Sequence, residues 1–215
     1  MRHSGLYRTG KRMVVLGILL VLCALALTLY NLWDSRRAQV ASDTVLHQLV
    51  PAAAPDSDGY SGESPLPQPA YEVEVPNYIL APNMAMPEQT VDGVAYIGVL
   101  EIPDLGLSLP VASSWNYELL RSTPCRYAGS AYQSDLVIAA HNYSHHFGGL
   151  ARLPLESELT FTDVDGNVFR YRVVSLETLG PSDAEDMVSW TEGLTLFTCT
   201  VGGQSRVTIR GELVS

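Results

Sequence analysis

A cysteine and an arginine near the carboxyl end of the chain have residue types and a spacing that suit thiolate chemistry. Cys199 ends the apolar, β-branched and aromatic run LTLFTC, and Arg206 follows it by seven residues. The thiolate is the nucleophilic form of cysteine, and a neighbouring positive charge favours it. Because cysteine is among the most buried residue types, an unreactive packing role for Cys199 is the alternative that this pattern alone leaves open.

Two strands must position this pair. The first run is bounded by Gly193 and by Gly202-Gly203, which is typical of a short buried strand that ends in a turn. The second run, 206–214, alternates polar and apolar residues and is predicted to be its antiparallel neighbour. Arg206 and Arg210 point to the same side of that strand, so side-chain parity does not decide which arginine serves the cysteine.

A histidine follows the most apolar run in the second half of the chain. The run 135–140 (DLVIAA) is predicted to be a central strand buried on both faces, and His141 opens the polar loop after it. An imidazole there can take or return a proton near neutral pH, whereas the alternative is a surface histidine without a chemical role. His145 and His146 lie close by, but no CxxC or HExxH spacing accompanies them, so we predict loop residues and no metal site.

These segments together resemble the sortases, the membrane-anchored cysteine transpeptidases of Gram-positive bacteria. TLFTC followed by SRVTIRGE is similar to the TLxTC…R signature of that family, and LVIAAHNYSHHFGGL is similar to its histidine segment. The resemblance covers about 96–214 and keeps the order histidine, cysteine, arginine. One departure is Ala140, where the family more often has glycine.

The resemblance implies a role for each residue. Cys199 would attack the threonyl carbonyl of an LPxTG-type sorting signal, and His141 would protonate the departing amine. Arg206, rather than Arg210, would stabilise the oxyanion, and Thr198 would support that oxyanion or the substrate. A thioacyl-enzyme would then pass the secreted protein to an amine of the cell wall, with no cofactor.

The subclass stays open at this point. The segment before TLFTC is too short for the long helix of class B sortases, and no DP-aromatic lid motif of the pilin-building class precedes the barrel. A specialised or pilin-polymerising sortase is therefore the alternative within the family. From other classes, we keep a tethered β-barrel binding module without turnover and a cysteine hydrolase (thiol protease) of the cell wall.

The amino-terminal part predicts a membrane anchor. The run 13–33 has no charged residue over 21 positions, enough for a helix to cross a hydrocarbon core of roughly 30 Å. It is longer than the apolar region of a cleaved signal peptide. Four basic residues lie in 1–12, so the positive-inside rule places that segment in the cytoplasm and the remainder outside the cell.

The charge of the remainder excludes nucleic acid as a partner. Beyond position 37 the chain has 7 arginines, no lysine and 22 acidic residues. Phosphate binding needs basic patches, so the expected partners are sorting-signal proteins, an amine acceptor from a peptidoglycan precursor or a pilin, and the membrane.

The rest of the pattern predicts a linker and one barrel. Residues 34–89 are rich in proline, alanine and acidic residues and are expected to form a flexible linker. Residues 90–215 show many short strands with turns between them, which predicts a mostly β domain, a closed barrel of about eight strands with few short helices. An Asp163-to-Asn167 turn joins two of these strands and lacks calcium-loop spacing. Cys125 is expected to pack, with a disulfide to Cys199 as the alternative.

Overall fold

The computed structural model describes residues 4–49 and 75–214, and its first element is one long helix. Helix α1 (Ser4–Leu49) contains the apolar run Met13–Tyr30, which has a mean hydropathy of 2.7 and is not buried by any other part of the protein. By length and composition this run is able to cross a membrane. The predicted anchor therefore falls within a helix, and that helix continues 16 residues beyond the anchor's predicted end at Trp33.

The remainder of the described chain is mainly strands. They are β1 (Gln89–Val91), β2 (Val94–Ile102), β3 (Leu107–Ala112), β4 (Cys125–Ala128), β5 (Asp135–Ala139), β6 (Glu158–Asp163), β7 (Val168–Leu179), β8 (Gly193–Cys199) and β9 (Arg206–Leu213). Three short helices accompany them: α2 (Asn77–Leu80), α3 (Tyr117–Leu120) and α4 (Ala184–Val188). This confirms the predicted mostly β domain with few short helices.

Eight of these strands close into a barrel. The order is β2-β3-β4-β5-β8-β9-β7-β6, and β6 pairs back with β2, while β1 extends the sheet beside β2. All pairs are antiparallel except β3–β4 and β5–β8. At the closing seam Gly98 has a φ of +156° and faces β6, where an added Cβ would lie 2.1 Å from the Thr162 carbonyl oxygen. Glycine at this position therefore lets β2 approach β6 closely enough to close the predicted barrel.

The barrel interior is a single apolar core. It is filled by alternate residues of the strands, among them Ile97, Leu136, Leu194 and Leu196, whose side chains are fully buried. The central strand β5 is buried on both faces, because Val137 and Ala139 pack outside the barrel against Met187 of α4. A sheet covered on both faces explains why this strand reads as a continuous apolar run.

The carboxyl end of α1 packs on the outside of the barrel. Val45 and Leu49 are buried with Val91 and Val99 of β1 and β2. The side-chain amide of Gln89 donates a hydrogen bond of 3.3 Å to the carbonyl oxygen of Gln48. The part of the predicted linker before residue 50 is therefore helical. Its central part, 50–74, lies outside the described residues.

Strands β1 and β4 were not predicted, and β1 has only three residues. β4 makes a single residue pair with β3, Ala112 with Cys125, and its sequence CRYA is too short to show a period.

The β6–β7 turn has the predicted form. The Asp163 carboxylate accepts hydrogen bonds from the backbone amides of Asp165 and Asn167, at 3.0 and 2.8 Å, and from the Tyr132 hydroxyl at 2.7 Å.

Candidate active site

The parallel pair β5–β8 brings the histidine segment beside the cysteine segment. Ala139 lies opposite Phe197, and the next amide, that of Ala140, donates to the Phe197 carbonyl oxygen at 3.2 Å. Two parallel strands end at the same edge of a sheet. His141 follows Ala139 by two residues and Cys199 follows Phe197 by two, so both lie just past this last residue pair, at the carboxyl ends of the two strands.

Cys199 and Arg206 form a directly opposite pair across the antiparallel strands β8 and β9. Directly opposite residues project to the same face of a sheet, with Cβ atoms about 5 Å apart. Both side chains are partly exposed, as is His141. The three predicted residues therefore come from three strand ends to one accessible edge of the barrel.

The Arg206 guanidinium is hydrogen-bonded to the turn that joins the two strands. Its Nη1 donates to the carbonyl oxygens of Gly203 and Ser205, at 3.0 and 3.1 Å. Gly202 and Gly203 have φ values of +89° and +73°, a conformation that favours glycine. The turn thus needs both glycines to bend the chain so that Arg206 faces Cys199.

Arg210, the second arginine considered, lies in a different environment. Its side chain is buried beneath α4, where Nε donates to Glu177 Oε1 at 2.8 Å, and Nη1 donates to the Met187 carbonyl oxygen and the Thr195 hydroxyl at 3.0 and 2.9 Å. These contacts fasten the β7–β8 connection to β9. Arg210 is therefore a structural cation, and Arg206 is the arginine that faces Cys199.

Thr198 points away from the cysteine. Successive side chains of a strand alternate between faces, and Thr198 is directed into the barrel, where it is 3% exposed. Its hydroxyl donates to the carbonyl oxygen of Ala140 at 2.8 Å. The structure thus gives this hydroxyl a bond to the histidine segment, and the support of the oxyanion or the substrate by Thr198 stays a prediction.

The loop after His141 is compact and closed by backbone hydrogen bonds. The Phe147 amide donates to the His141 carbonyl oxygen at 3.0 Å, and the amides of His146 and Gly148 donate to the Tyr143 carbonyl oxygen at 3.0 and 2.9 Å. A Cβ at Gly148 would lie 2.7 Å from that same oxygen, so only glycine fits. Phe147 is fully buried and anchors the loop in the barrel core.

Aromatic rings fill this loop. The His141 and Tyr143 rings stack with centroids 4.9 Å apart and planes 22° apart, and Tyr143 also contacts the rings of His145 and His146 at 5.8 and 5.7 Å. Sequence reasoning assigned no role to Tyr143, although an aromatic residue two positions after the histidine was a visible signal. Among the described residues, no group of three or more His, Cys, Asp or Glu is arranged to hold a metal.

Burial makes His146 a poor base. The side chain is inaccessible, and neither ring nitrogen makes a hydrogen bond of normal geometry with the described residues. This burial, together with the neighbouring rings of His145 and His141, lowers the pKa of His146 to about 3, although the Ser122 backbone opposes the shift. His146 is therefore neutral at physiological pH.

A row of aromatic side chains borders the cysteine strand. Phe197, two residues before Cys199 and on the same face, meets Tyr127 of β4 edge-on at 5.2 Å. Tyr127 in turn contacts Trp115 at 6.0 Å, and Trp115 contacts Tyr117 at 4.8 Å. Trp115 and Tyr127 are each 38% exposed, so the row is an apolar, accessible wall beside the candidate nucleophile.

The acidic cluster of the β7–β8 connection lies at α4. Asp183 precedes this helix, and its carboxylate accepts a hydrogen bond of 2.8 Å from the Gly180 amide, while Glu185 and Asp186 belong to the first turn. Met187, on the same helix, packs against Phe197. The connection is thus a structured wall of the face that carries Cys199.

Cys125 is unsuited to nucleophilic chemistry. It is fully buried against Val99 and Ala112, and burial raises the pKa of its thiol to about 11. It lies opposite Ala139, two strands away from Cys199 and two residues further back along the sheet. At about 4.8 Å per strand the Cα separation exceeds the roughly 7 Å that a disulfide can bridge.

Comparisons with known proteins agree on one family. A family model described as a sortase domain matches residues 100–214. Among solved structures, a sortase C of Pilus Island 1 from Group B Streptococcus is 22% identical with a TM-score of 0.50, and covers 56% of this chain and 64% of its own. Sortase A from Corynebacterium diphtheriae is 19% identical with a TM-score of 0.52, and covers 57% and 62%.

A third structure adds another class. A sortase D transpeptidase from Clostridium perfringens is 20% identical with a TM-score of 0.50, and covers 59% of this chain and 83% of its own. The chain therefore spans less than two thirds of the length of the first two structures and more of the third. No sequence among the curated proteins matches this chain.

Proposed function

The chain belongs to the sortase family, and from that premise we propose that it is a membrane-anchored cysteine transpeptidase. It cleaves an LPxTG-type sorting signal of a secreted protein and transfers that protein to an amine of the cell wall. The proposal is supported by the parallel pairing of β5 and β8, which ends the strands before His141 and at Cys199 on the same edge of the barrel, and by the position of Arg206 directly opposite Cys199.

The first step is attack by the thiolate of Cys199 on the carbonyl carbon that precedes the scissile bond. The new S–C bond converts the carbonyl oxygen to an oxyanion. The Arg206 guanidinium, on the same face as the sulfur, stabilises this charge, because an ionised donor makes a strong hydrogen bond to an oxyanion. Hydrogen bonds from Nη1 to the Gly203 and Ser205 carbonyl oxygens hold this guanidinium on the turn between the two strands.

The second step breaks the C–N bond and leaves a thioacyl-enzyme. His141, as an imidazolium, gives its proton to the departing amine, and the oxyanion collapses to the thioester. An incoming amine then attacks the thioester, His141 takes up the amine's proton, and the thiolate leaves. Atoms and charge balance over the cycle, and no cofactor takes part.

The apolar wall of aromatic side chains and α4 supports binding of the sorting signal. Trp115 and Tyr127 offer exposed ring faces next to the strand that ends in Cys199, and Phe197 connects them to it. Ring faces pack well against proline and leucine side chains. The signal therefore binds along this wall with its threonyl carbonyl at the sulfur.

The helix α1 places the reaction at a membrane surface. The run Met13–Tyr30 crosses the membrane once, and the basic residues before it hold the amino terminus in the cytoplasm. The barrel then lies outside the cell. Substrates retained at the same membrane meet the enzyme at a raised effective concentration.

The test uses the full chain in detergent micelles with a library of fluorogenic pentapeptides that contain LPxTG variants. We expect a thioester of the peptide on Cys199 by mass spectrometry, its loss in Cys199→Ala, and its retention in Cys125→Ala. A short glycine peptide as acceptor should convert the thioester to a transpeptidation product. Release to water alone would identify a cysteine hydrolase, and binding without any thioester would identify a binding module.

The choice of acceptor separates the subclasses. Oligoglycine or a diamino-acid peptide represents the cell wall, whereas a lysine within a folded pilin domain represents pilus assembly. Preference for the pilin lysine would favour a pilin-polymerising sortase over the wall-anchoring enzyme proposed here.

A further inference from the structure

The loop after His141, between β5 and β6, contains a cluster of four contacting rings. Tyr143 lies at its centre, with its ring in contact with three imidazoles. His141 is one of the three, and its ring stacks on Tyr143 at 4.9 Å and 22°. The other two, His145 and His146, contact each other edge-on with ring centroids 5.0 Å apart.

The backbone at Tyr143 is held in place by the loop. Its carbonyl oxygen accepts two backbone hydrogen bonds, from His146 and Gly148, so the loop on either side cannot turn freely. The ring it contacts below, that of His146, is inaccessible to solvent, and Phe147 anchors the next position in the core. Stacking on a ring held in this way restricts the rotamers open to the His141 side chain.

We propose that Tyr143 is a positioning residue for the transpeptidation: its ring holds the imidazole of His141 in one orientation beside Cys199 and favours the protonated form of that imidazole. The idea rests on the proposed function only in that His141 serves as the proton donor. It assigns a task to a residue outside the Cys199, His141 and Arg206 set.

Two physical effects support this role. A ring face attracts a cation, so the Tyr143 ring favours imidazolium over neutral imidazole. Stacking also restricts rotation of His141, which keeps the proton near the departing amine; loss of such alignment is costly in rate. His146 does not counteract the attraction, because burial keeps it uncharged at neutral pH. Burial lowers the pKa of His145, and the charge of Asp43 of α1 opposes that shift.

The first measurement is the pKa of His141 in the full chain in micelles, followed by NMR of its ring protons and assigned with His141→Gln. We expect Tyr143→Leu to lower this pKa by about half a unit, the size of a cation–π contact at an exposed site. Tyr143→Phe, which keeps the ring face, should leave it within about 0.2 units. Ser144→Ala is the control, because it alters an exposed side chain of the same loop.

The second measurement is kinetic, on the best peptide and amine acceptor. Tyr143→Leu should lower kcat about 10-fold with little change in KM, since alignment of the proton donor affects the transition state and not peptide binding. Tyr143→Phe and Ser144→Ala should stay within about twofold. Wild-type values in Tyr143→Leu would overturn the proposal, as would a Phe variant impaired as strongly as Leu, because the hydroxyl and not the ring face would then matter.

A second variant tests the ring contact without depending on the folding of Tyr143→Leu. If Tyr143→Leu fails to fold, Tyr143→Trp supplies a larger ring face, and the pKa of His141 should equal or exceed that of the wild type. A fall of half a unit in Tyr143→Trp would contradict the stacking role. The NMR titration needs no substrate, so absence of turnover on every peptide would reject the proposed function and the kinetic role of Tyr143, while the effect of the Tyr143 ring on the pKa of His141 would still be confirmed or contradicted by the titration.

Discussion

The hydroxyl of Thr198 donates a buried hydrogen bond of 2.8 Å to the carbonyl oxygen of Ala140, 58 positions earlier in the chain. One partner directly precedes the candidate nucleophile, and the other directly precedes the candidate proton donor. The bond lies on the inner face of the barrel, whereas Cys199 projects to the opposite face. A buried contact on the inner face of the barrel thus holds together the two segments that carry the reacting groups.

Replacing this hydroxyl should loosen that alignment. Thr198→Val keeps the shape of the side chain but leaves the Ala140 carbonyl without its side-chain donor, which costs about 1–3 kcal/mol in unfolding free energy. We expect kcat/KM to fall more than 10-fold, with Thr198→Ser close to wild type. Denaturant unfolding and peptide kinetics measure both quantities. Equal activity of the Val and Ser variants would show that the bond does not align the site.

Arg206 should affect rate rather than stability. Arg206→Ala removes the charge that faces the sulfur, and loss of one oxyanion donor typically costs about 100- to 1,000-fold in kcat. Because the side chain is partly exposed, the unfolding free energy should change by less than about 1 kcal/mol. Arg206→Lys should restore only a small part of the rate, since a single ammonium does not match the guanidinium fork. A kcat within threefold of wild type in Arg206→Ala would exclude the oxyanion role.

Arg210 should show the reverse behaviour. Arg210→Met leaves the Met187 carbonyl and the Thr195 hydroxyl without their donor and Glu177 without its cation. We expect a loss of roughly 2–4 kcal/mol in unfolding free energy, discounted because Glu177 is partly exposed. At temperatures where the variant is folded, KM should rise through displacement of α4, with thioester formation retained. Thermal unfolding and the peptide KM test this, and a stable variant with no thioester would move the catalytic role from Arg206 to Arg210.

His146 should make the fold sensitive to acid. Its pKa is lowered to about 3 in the folded protein, so below about 6.5 the unfolded chain binds a proton that the native state excludes. The stability that the neutral ring contributes is complete above pH 6.5 and is lost as pH falls toward 3. His146→Phe, which fills the buried space, should therefore unfold at lower pH than the wild type. Identical acid transitions in the two proteins, followed by circular dichroism, would refute this.

The aromatic wall should determine peptide affinity. Trp115→Ala removes an exposed ring face and should raise the peptide KM about threefold to tenfold, with kcat changed less. Val168→Ala, an exposed apolar truncation in the β6–β7 hairpin, is the matched control. A KM unchanged in Trp115→Ala and altered in Val168→Ala would move the binding wall to another face of the barrel.

The sequence by itself determined the family, the closed mostly β barrel and an apolar run long enough to span a membrane. Each depends on local pattern: alternation in 206–214, a continuous apolar run in β5, and 18 or more apolar residues in α1. Spacing also indicated Cys199, His141 and Arg206 as a set. Local pattern is informative here because burial on one or both faces dictates which residue types a strand carries.

Only the tertiary structure decided the directions in which side chains point and the partners they meet. Strand parity predicts the same face for Arg206 and Arg210. In the structure, Arg210 is buried beneath α4, whereas Arg206 is partly exposed. The Thr198 hydroxyl meets the Ala140 carbonyl oxygen, and the Tyr143 ring stacks on the ring of His141. Such contacts join residues far apart in the chain, or depend on how a loop closes, and neither the spacing nor the composition of a segment encodes them.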